Sequence, residues 1–400
     1  MNFNAFEFHP AVTAGIKKAG YTDPTPIQTK AIPLIMKNRD VMGLAQTGTG
    51  KTAAFVLPIL HRLLAHAPAK NTKSCPRALI LTPTRELAEQ IHQAIRDLGR
   101  KTGIRSATVY GGVNIGPQIQ ALKKTDIIVA CPGRLLDHIR RRTANLTRLE
   151  VLVIDEADQM FDMGFLPDIR RILTSLPQNR QTMLFSATMP DSVKRLAGET
   201  LHNPEKVKIG TTAPAETVNH AMYPVAQNLK SQLLLNLLEN TEAKSILVFT
   251  RTKHRAVTLE KKLAKAGYKS ASLQGDLCQK KRQAAMKGFR DGRYQILVAT
   301  DIAARGIDVT RVSHVINYDM PATPEAYIHR IGRTGRATRC GEAYTLITWE
   351  DRTMVRAIGR IVGSVVEQRQ LPDFDYGPQG CRPMKEQRKG WGQRPKRRRF

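Results

Sequence analysis

Residues 41–57 read Val41-Met-Gly-Leu-Ala-Gln-Thr-Gly-Thr-Gly-Lys-Thr-Ala-Ala-Phe-Val-Leu57, a pattern that indicates an α/β architecture. Its apolar start predicts a short strand, and the residues from Thr52 onward predict a helix. The glycines therefore lie at a strand-to-helix turn, where backbone N–H groups and the positive helix end surround phosphate oxygens. Ala45 stands where the strict phosphate-loop pattern has glycine, and a small residue is compatible with that position. We predict that Lys51 reaches the outer phosphates of a nucleotide and that Thr52 ligates Mg²⁺.

A second signature, Val151-Leu-Val-Ile-Asp-Glu-Ala-Asp158, places carboxylates directly after an apolar strand. In open α/β folds this edge of the sheet is where ligands bind. We predict that Asp155 holds Mg²⁺ through water and that Glu156 orients or deprotonates the attacking water. An acidic helix N-cap would explain the pair if it stood alone, but the phosphate loop already requires a metal partner. The two signatures together predict an ATPase.

Short continuous apolar runs recur along the chain, and amphipathic stretches follow the first of them. They are Ala78 to Thr82, Asp126 to Ala130, Val151 to Ile154, Thr182 to Phe185, Ser245 to Thr250, Ala271 to Leu273, Gln295 to Thr300, His314 to Asn317 and Ala343 to Ile347. Continuous rather than alternating apolar strands indicate parallel sheets that are covered by helices on both faces.

Composition and charge limit the class of protein. A chain of 400 residues with 41% apolar content predicts two globular domains. The net charge of +29 favours a polyanionic partner, and nucleic acid fits better than a membrane because no basic stretch is apolar on one face. The five cysteines lack metal-ligand spacing and predict free thiols. Without an apolar run long enough to span a membrane, or a secretory signal, the sequence predicts a cytoplasmic protein.

The domain boundaries are predicted from changes in composition. Residues 1–208 form the first domain, residues 209–219 a short flexible linker that is small, polar and contains Pro214, and residues 220–370 the second domain. Residues 371–400 are rich in Pro, Gly, Gln and Arg, which predicts a disordered basic tail. Between Gly380 and Phe400 nine lysines and arginines face one acidic residue.

Nearly the whole chain resembles the DEAD-box ATP-dependent RNA helicases, named after the motif Asp155-Glu-Ala-Asp158. The resemblance includes Gly20 to Gln28, Pro83 to Ala88, Gly111-Gly112, Cys131 to Arg134, Ser186-Ala-Thr188, Val248 to Thr252, Gln274-Gly-Asp276, Ala299 to Asp308 and His329 to Arg336. It implies two tandem RecA-like domains that bind ATP, Mg²⁺ and RNA. The short N-terminus and compact basic-tailed core are most similar to the bacterial RhlE-like group.

The resemblance implies roles for further residues of the nucleotide site. Gln28 reads the adenine edge, Tyr21 stacks on the base, and Phe3 supports that loop. Asp308 holds the ribose and Gly306 allows its close approach, while Arg333 and Arg336 meet the γ-phosphate from the second domain. The nucleotide-binding residues are then Phe3, Tyr21, Gln28, Gln46, Thr47, Gly48, Thr49, Gly50, Lys51, Thr52, Gly306, Asp308, Arg333 and Arg336.

The resemblance also implies coupling residues and a surface for RNA. Asp158, Ser186, Thr188 and His329 connect the acidic motif to domain closure. The RNA backbone is held by Pro83, Thr84, Arg85, Gly111, Gly112, Pro132, Gly133 and Arg134 in the first domain, and by Arg251, Gly275, Arg282 and Thr300 in the second. Helix ends, glycine amides and arginines contact phosphates without reading bases. Cys131 and Gln274 depart from the threonine and histidine that are commoner in the family, which predicts a modest change in RNA affinity.

The sequence therefore predicts an RNA-dependent ATP hydrolase that binds RNA without sequence preference and locally unwinds short duplexes or remodels ribonucleoprotein. An ATP-gated RNA clamp, for which unwinding is incidental, is the main alternative. A DNA translocase of the same build is a second alternative, disfavoured by Gln28 and the acidic motif. Ribosome-assembly and RNA-decay complexes both fit as partners.

Overall fold

A computed structural model describes residues 2–46, 48–66, 75–209, 218–241, 244–304, 312–334, 341–363 and 366–376, apart from the side chain of Ile302. Within them the chain forms two α/β units, here named domain 1 (residues 2–209) and domain 2 (residues 218–376). Each unit has a seven-stranded sheet. The predicted fold class is confirmed.

The sheet of domain 1 is parallel throughout, with the strand order β3-β4-β2-β5-β6-β1-β7. Its strands are β1 (Val41–Leu44), β2 (Ala78–Leu81), β3 (Ser106–Val109), β4 (Ile127–Ala130), β5 (Val151–Ile154), β6 (Gln181–Ser186) and β7 (Glu205–Lys208). A 3₁₀ helix (Phe3–Phe6) precedes α1 (Pro10–Lys18), α2 (Pro26–Met36), α3 (Lys51–Ala65), α4 (Arg85–Leu98), α5 (Ile115–Leu122), α6 (Pro132–Arg140), α7 (Ala157–Asp162), α8 (Leu166–Leu173) and α9 (Asp191–Thr200).

The sheet of domain 2 is also parallel, with the order β10-β11-β9-β12-β13-β8-β14. Its strands are β8 (Val218–Pro224), β9 (Ile246–Thr250), β10 (Ser270–Leu273), β11 (Ile296–Thr300), β12 (His314–Asn317), β13 (Gly341–Ile347) and β14 (Glu367–Gln368). The helices are α10 (Lys230–Glu239), α11 (Lys253–Lys265), α12 (Gln279–Arg290), α13 (Asp301–Ala304), α14 (Pro324–Ile331), a 3₁₀ helix (Trp349–Asp351) and α15 (Arg352–Val362).

The central strands are buried on both faces, which is why they are continuous apolar runs. All four residues of β2, β4 and β5 are buried. Along β5, Val151 and Val153 join one hydrophobic cluster, whereas Leu152 and Ile154 join the cluster on the opposite face. Alternate side chains of a strand point to opposite faces, so each sheet lies between two layers of helices.

Two predicted boundaries are corrected by the structure. Val218 and Asn219, assigned to the linker, begin β8, and Val218 is buried. Residues 371–376, assigned to the tail, include Phe374 and Tyr376, which are buried in one hydrophobic cluster of domain 2. Two aromatic side chains supply enough apolar area to fix a short segment that its Pro and Gly content made look disordered. Residues 210–217 of the linker and 377–400 of the tail lie outside the described residues.

Candidate nucleotide and RNA site

The phosphate loop lies where the sequence predicts it, between β1 and α3. Gly48 and Gly50 have φ of 87° and 93°, a left-handed backbone that glycine adopts without strain. Lys51 begins α3, is 5% exposed, and donates from Nζ to the carbonyl oxygen of Ala45 at 2.9 Å. The lysine therefore folds back over the loop toward the position that phosphates would take.

Gln28 is fixed against the phosphate loop. Its side chain is 3% exposed, with Nε2 donating to the carbonyl oxygen of Gly50 at 3.0 Å and Oε1 accepting from the backbone N–H of Thr25 at 2.9 Å. A Cβ added to Gly50 would lie 2.6 Å from this Nε2, so the contact also requires glycine. One N–H and one lone pair of the amide remain. The bidentate contact to adenine predicted for Gln28 is compatible with that capacity.

Tyr21 and Phe3, the aromatic residues predicted at this site, lie close to each other. Tyr21 is one of the few large exposed hydrophobic side chains among the described residues, at 42% exposure. Phe3 is 5% exposed and its ring centroid lies 6.1 Å from that of Tyr21. Gln46, Thr49 and Thr52 lie in or next to the phosphate loop, whereas Thr47 lies outside the described residues.

The acidic residues follow β5 at the carboxyl edge of the sheet. Asp155 and Glu156 are 2% and 3% exposed, and Asp155 Oδ1 accepts from the backbone N–H of Glu156 at 3.0 Å. Glu156 has a φ of 53°, an uncommon left-handed conformation for a residue with a side chain. Burial raises the pKa of Asp155 to about 7, although the Lys51 ammonium acts in the opposite direction. A divalent cation would offset that burial, so the donor set fits Mg²⁺.

Asp158 connects three segments, two of them in domain 1. Its backbone N–H donates to Ser186 Oγ at 3.2 Å, and its Oδ2 accepts from the N–H and Oγ1 of Thr188 at 2.8 and 2.9 Å. From domain 2, His329 Nε2 lies 3.9 Å from the same Oδ2, longer than a hydrogen bond. Burial lowers the pKa of His329, and Asp158 opposes that change. The structure thus brings together the four residues predicted to couple the domains.

Helix α14 and the turn that follows it carry the domain 2 residues that face this site. Arg333 is 7% exposed, and it lines an interdomain cavity together with His329 and, from domain 1, Gln159 and Asp162. The helix ends at Ile331, as the glycines of this motif predict. Gly306, Asp308 and Arg336 lie outside the described residues.

Arg330 forms a network that the sequence reasoning missed. Its side chain is 3% exposed and donates to both carboxylate oxygens of Asp301, at 2.5 and 2.7 Å. It also donates to Asn317 Oδ1 at 3.2 Å and to the carbonyl oxygen of Asp319 at 2.7 Å, and it lies 5.0 Å from the ring centroid of Phe249. One side chain therefore joins α14 to the ends of β9, β11 and β12. An arginine three residues before Arg333 and an aspartate after a strand were the only sequence signals.

The predicted RNA residues of domain 1 share one surface. Thr84 caps α4 by accepting from the N–H of Leu87 at 3.2 Å, and Cys131 is the N-cap residue of α6 but makes no side-chain cap hydrogen bond. Gly112 has a φ of 75°, and a Cβ there would lie 2.3 Å from the Arg85 guanidinium. A groove is lined by Pro83, Thr84, Arg85, Gly111, Gly133 and Arg134, together with Gly275 and Arg282 of domain 2. Pro132 begins α6 beside it.

The predicted RNA residues of domain 2 differ in their surroundings. Arg251 and Thr300 lie at the ends of β9 and β11, and the Arg251 N–H donates to Asp319 Oδ2 at 2.8 Å. Arg282, by contrast, is 8% exposed and forms an interdomain ion pair with Glu86 at 2.8 Å. It also donates to the carbonyl oxygens of Gln274 and Ala303, at 3.2 and 3.3 Å. Arg282 thus makes a domain-to-domain contact at the groove, and its contact with RNA stays a prediction.

Comparison with known proteins agrees with this geometry. Residues 25–196 match the DEAD/DEAH box helicase family, and residues 229–338 match the helicase conserved C-terminal domain. The ATP-dependent RNA helicase DeaD of Buchnera aphidicola is 41% identical over 378 residues, covering 94% of this chain and 62% of DeaD. CshA of Bacillus subtilis is 41% identical, covering 95% of this chain and 76% of CshA. RhpA of Helicobacter pylori is 42% identical, covering 94% of this chain and 75% of RhpA. The chain thus spans less than two thirds of DeaD and about three quarters of the other two.

Solved structures share the two-domain build. Saccharomyces cerevisiae Dbp5 bound to RNA and ADP BeF3 matches with a TM-score of 0.82 and 32% identity, over 92% of this chain and 95% of that one. Dbp5 bound to gle1 and ip6 matches with a TM-score of 0.74 and 32% identity, over 94% and 96%. A DEAD box protein from Methanococcus jannaschii matches with a TM-score of 0.53 and 37% identity, over 92% of this chain and 99% of that one.

The fold and the site define a two-domain protein that uses a nucleotide at a shared cleft. The chain belongs to the DEAD-box family of ATP-dependent RNA helicases, enzymes that hydrolyse ATP. Among the described residues, no group of three or more His, Cys, Asp or Glu side chains could hold a metal, and no helix is long and apolar enough to cross a membrane.

Proposed function

We propose that the chain hydrolyses ATP in response to RNA, and that it uses closure of its two domains to separate short RNA duplexes or to remodel ribonucleoprotein. The observation that carries the proposal is the meeting of both domains at Asp158, which Thr188 contacts from domain 1 and His329 approaches to 3.9 Å from domain 2. A site built from two domains is complete only when they close. Any ligand that favours closure therefore stimulates turnover.

The roles proposed within domain 1 follow from position and chemistry. Lys51 neutralises the outer phosphates, and Gln28 with Tyr21 selects adenine. Glu156 positions and deprotonates the attacking water from its buried place beside Asp155. Mg²⁺ would be held by Asp155 and Thr52 and would neutralise charge on the phosphates when bound. Few protein ligands are needed, because Mg²⁺ usually retains waters and phosphate oxygens.

Arg333 of domain 2 is proposed to stabilise charge on the γ-phosphate, together with Arg336. The planar guanidinium keeps its charge in a buried position, which suits a phosphoryl group whose charge spreads over several oxygens. Arg333 is 7% exposed, so water would compete little with such a contact. Asp308 is proposed to hold the ribose, and Gly306 to allow its close approach.

RNA is proposed to lie along the groove that joins Arg85 and Arg134 of domain 1 to Gly275 of domain 2, with Arg251 and Thr300 completing the contact. Backbone amides, helix ends and arginines serve phosphates and 2′-hydroxyls, so no base sequence is selected. The higher TM-score for Dbp5 with RNA and ADP BeF3 than for Dbp5 with gle1 supports a domain arrangement suited to RNA.

Local unwinding is proposed rather than processive translocation. Opening ten base pairs costs about 13 kcal/mol at roughly 1.4 kcal/mol per stacked step, taking DNA as the yardstick. That figure is comparable to the roughly 12 kcal/mol of a whole nanomolar binding energy. One closure can therefore open only the few pairs that it distorts. The ATP-gated clamp remains the second candidate, and it differs by long-lived binding without repeated strand release.

The finer placement of the chain is also a proposal. Its compact core and basic tail favour the RhlE-like group, action in the bacterial cytoplasm, and ribosome-assembly or RNA-decay complexes as partners. Sequencing of RNA crosslinked to the chain in cells would test the choice of partner.

A steady-state ATPase titration with single-stranded RNA, and with DNA of the same sequence, tests the function. We expect strong stimulation by RNA, weak stimulation by DNA, and loss of the RNA response in Arg333→Ala. Arg171→Ala is the matched control, because Arg171 is a 63% exposed arginine of α8. Equal stimulation by RNA and DNA would favour the translocase, and an RNA response retained in Arg333→Ala would contradict the shared site.

A further inference from the structure

A second surface of domain 2 carries an exposed tryptophan beside a row of arginines. Among the described residues the exposed large hydrophobic side chains are Tyr21, Trp349 and Ile361. Tyr21 is accounted for by the nucleotide site. We propose that Trp349, with Arg352, Arg356 and Arg360, here named the Trp349 surface, binds single-stranded RNA outside the cleft.

Trp349 is held rigidly in an exposed position. It begins the 3₁₀ helix that follows β13, and Asp351 Oδ2 accepts from both the N–H and the Oγ1 of Thr348, each at 2.8 Å. The turn is therefore fixed by its own capping box, yet Trp349 exposes 66% of its area to water. Exposed aromatic area is unfavourable in the isolated chain, so a fixed indole of this kind is suited to a ligand.

Arg352 leaves one face of the indole for that ligand. Its guanidinium lies over the Trp349 ring, 2.9 Å from the centroid, which is a cation–π contact. The arginine covers one face, yet Trp349 keeps 66% of its area exposed, so the proposal places the ligand on the other face. A base that stacks on the open face would complete a layer of guanidinium, indole and base.

The arginines of α15 form one row. Arg352, Arg356 and Arg360 are four residues apart, a spacing that repeats about every 6 Å along a helix. The opposite side of α15 is fixed in domain 2, where Ile358 is 1% exposed in the core and Met354 packs against it. Since the helix cannot rotate, the row stays directed outward, where guanidinium groups can pair with successive phosphates.

RNA fits this surface better than an acidic protein segment. Paired carboxylates would use the arginines but would leave the flat indole without a partner, whereas a nucleotide supplies both an aromatic plane and a phosphate. The chain's own tail is an unsuitable occupant, because its nine basic residues after Gly380 would be repelled. The surface is distinct from the proposed RNA groove, because none of its four residues lines that groove.

Tryptophan fluorescence gives a direct test in the full-length protein. The chain has two tryptophans, Trp349 and Trp391, so Trp391→Phe leaves Trp349 as the sole reporter. Oligouridine should quench or shift its emission in the absence of nucleotide, and salt should reverse the effect. Emission that oligouridine leaves unchanged at saturation would overturn the proposal.

Affinity measurements separate this surface from general electrostatics. Trp349→Ala should weaken binding of oligouridine by roughly five- to 150-fold, the range for loss of one stacked base. Arg356→Glu with Arg360→Glu should also lower the slope of log affinity against log salt by about 1.4, for two lost phosphate contacts. The control pair is Lys261→Glu with Lys265→Glu, exposed lysines also four apart on α11, with the same change in charge. Equal losses in both pairs would refute a specific site.

The ATPase readout distinguishes failure of this inference from failure of the proposed function. The Trp349 surface lies outside the proposed catalytic groups, so Trp349→Ala should raise the RNA concentration for half-maximal stimulation and leave maximal turnover unchanged. If that concentration does not move and an acidic peptide quenches Trp349 where oligouridine does not, the surface binds protein and the proposal is wrong. RNA-stimulated turnover by the unmodified chain would still support the proposed function.

Discussion

Arg330 offers the sharpest test of how domain 2 positions Arg333 at the nucleotide site. Its side chain is 3% exposed and makes four hydrogen bonds, two to Asp301 and one each to Asn317 and Asp319. Arg330→Met keeps most of the length and removes every one of these donors. The change leaves the Asp301 carboxylate and two acceptors without their partner, while Arg333 loses the anchor one turn away.

The expected cost follows from the burial of the two partners. Removing one member of a buried ion pair costs about 3–5 kcal/mol. Asp301 is 34% exposed, so water recovers part of its solvation and the lower value, about 3 kcal/mol, applies. For a domain of this size, roughly 2–4 °C of Tm are lost per kcal/mol, which gives a decrease of about 6–12 °C. Misplacing Arg333 by about 1 Å should also lower RNA-stimulated turnover by around 10²-fold.

Thermal unfolding and the RNA titration of ATPase activity are measured on the same preparations. Arg170→Met is the matched control, because Arg170 pairs with Glu199 at 2.7 Å while the two side chains are 50% and 45% exposed, so the change should have little effect on Tm. Adding Asp301→Asn to Arg330→Met should cost less than the two single changes together, since the uncompensated charge is removed. A Tm and a turnover that match those of Arg170→Met would show that the network does not position Arg333.

Four further outcomes are expected. Lys51→Ala or Glu156→Gln should leave a folded protein and lower turnover by about 10²- to 10³-fold; near-normal ATPase activity in either would refute the assigned role. Deleting residues from Gly380 onward should preserve RNA-stimulated turnover and lower the salt slope of RNA affinity by about 0.7 per lost phosphate contact, whereas an unchanged slope would assign the tail another role. Arg336→Ala and the isolated segment 1–208 should retain ATP binding and lose the stimulation of ATPase activity by RNA. Arginine fingers in other nucleotide hydrolases contribute a factor of about 10³–10⁵ to turnover. A full RNA response in either protein would contradict assembly of the site by domain closure. Burial lowers the pKa of His138, His220 and His314 below the ordinary value of about 6.5, so the unfolded chain gains protons that the folded chain does not as the pH falls through that value. Tm should therefore decrease from about pH 8 to about pH 5, His138→Gln should reduce the decrease, and a Tm that rises on acidification would contradict this sign.

The strands and the phosphate loop could be predicted because their physical requirements are local. A strand buried on both faces needs a continuous apolar run, and β5 is predicted to the residue by Val151 to Ile154. A left-handed turn before a helix needs glycine, as at Gly50. Each of these features depends on a few consecutive residues, so it can be identified from the sequence alone.

Features that depend on distant residues could not be predicted in the same way. Arg282 reads as a basic side chain on a helix, and only the folded chain shows that its partner is Glu86 in the other domain. Arg330 likewise gains its importance from Asp301, Asn317 and Asp319, which belong to two other strand ends. The tail was predicted to begin too early, at residue 371, because the overall Pro, Gly and Gln content of the segment outweighed the two aromatic residues Phe374 and Tyr376. These two side chains are buried in a hydrophobic cluster of domain 2.

The two sheets have the same strand order, shifted by seven strands along the chain, so each strand of domain 1 has a counterpart in domain 2. The counterpart of Lys51, the first residue of α3, is Lys230, the first residue of α10. Lys230 is 2% exposed and donates to the carbonyl oxygen of Tyr318 at 3.1 Å, beside Asp319, just as Lys51 lies near Asp155.

Duplication of one ancestral unit produces this kind of repetition, but the second copy has changed at the decisive point. Residues 225–229, between β8 and α10, contain no glycine, so no run of backbone amides can surround a phosphate there. Lys230 instead fastens its helix to the end of β12. The stoichiometry follows: each chain should bind a single ATP, although it contains two copies of the fold that binds it.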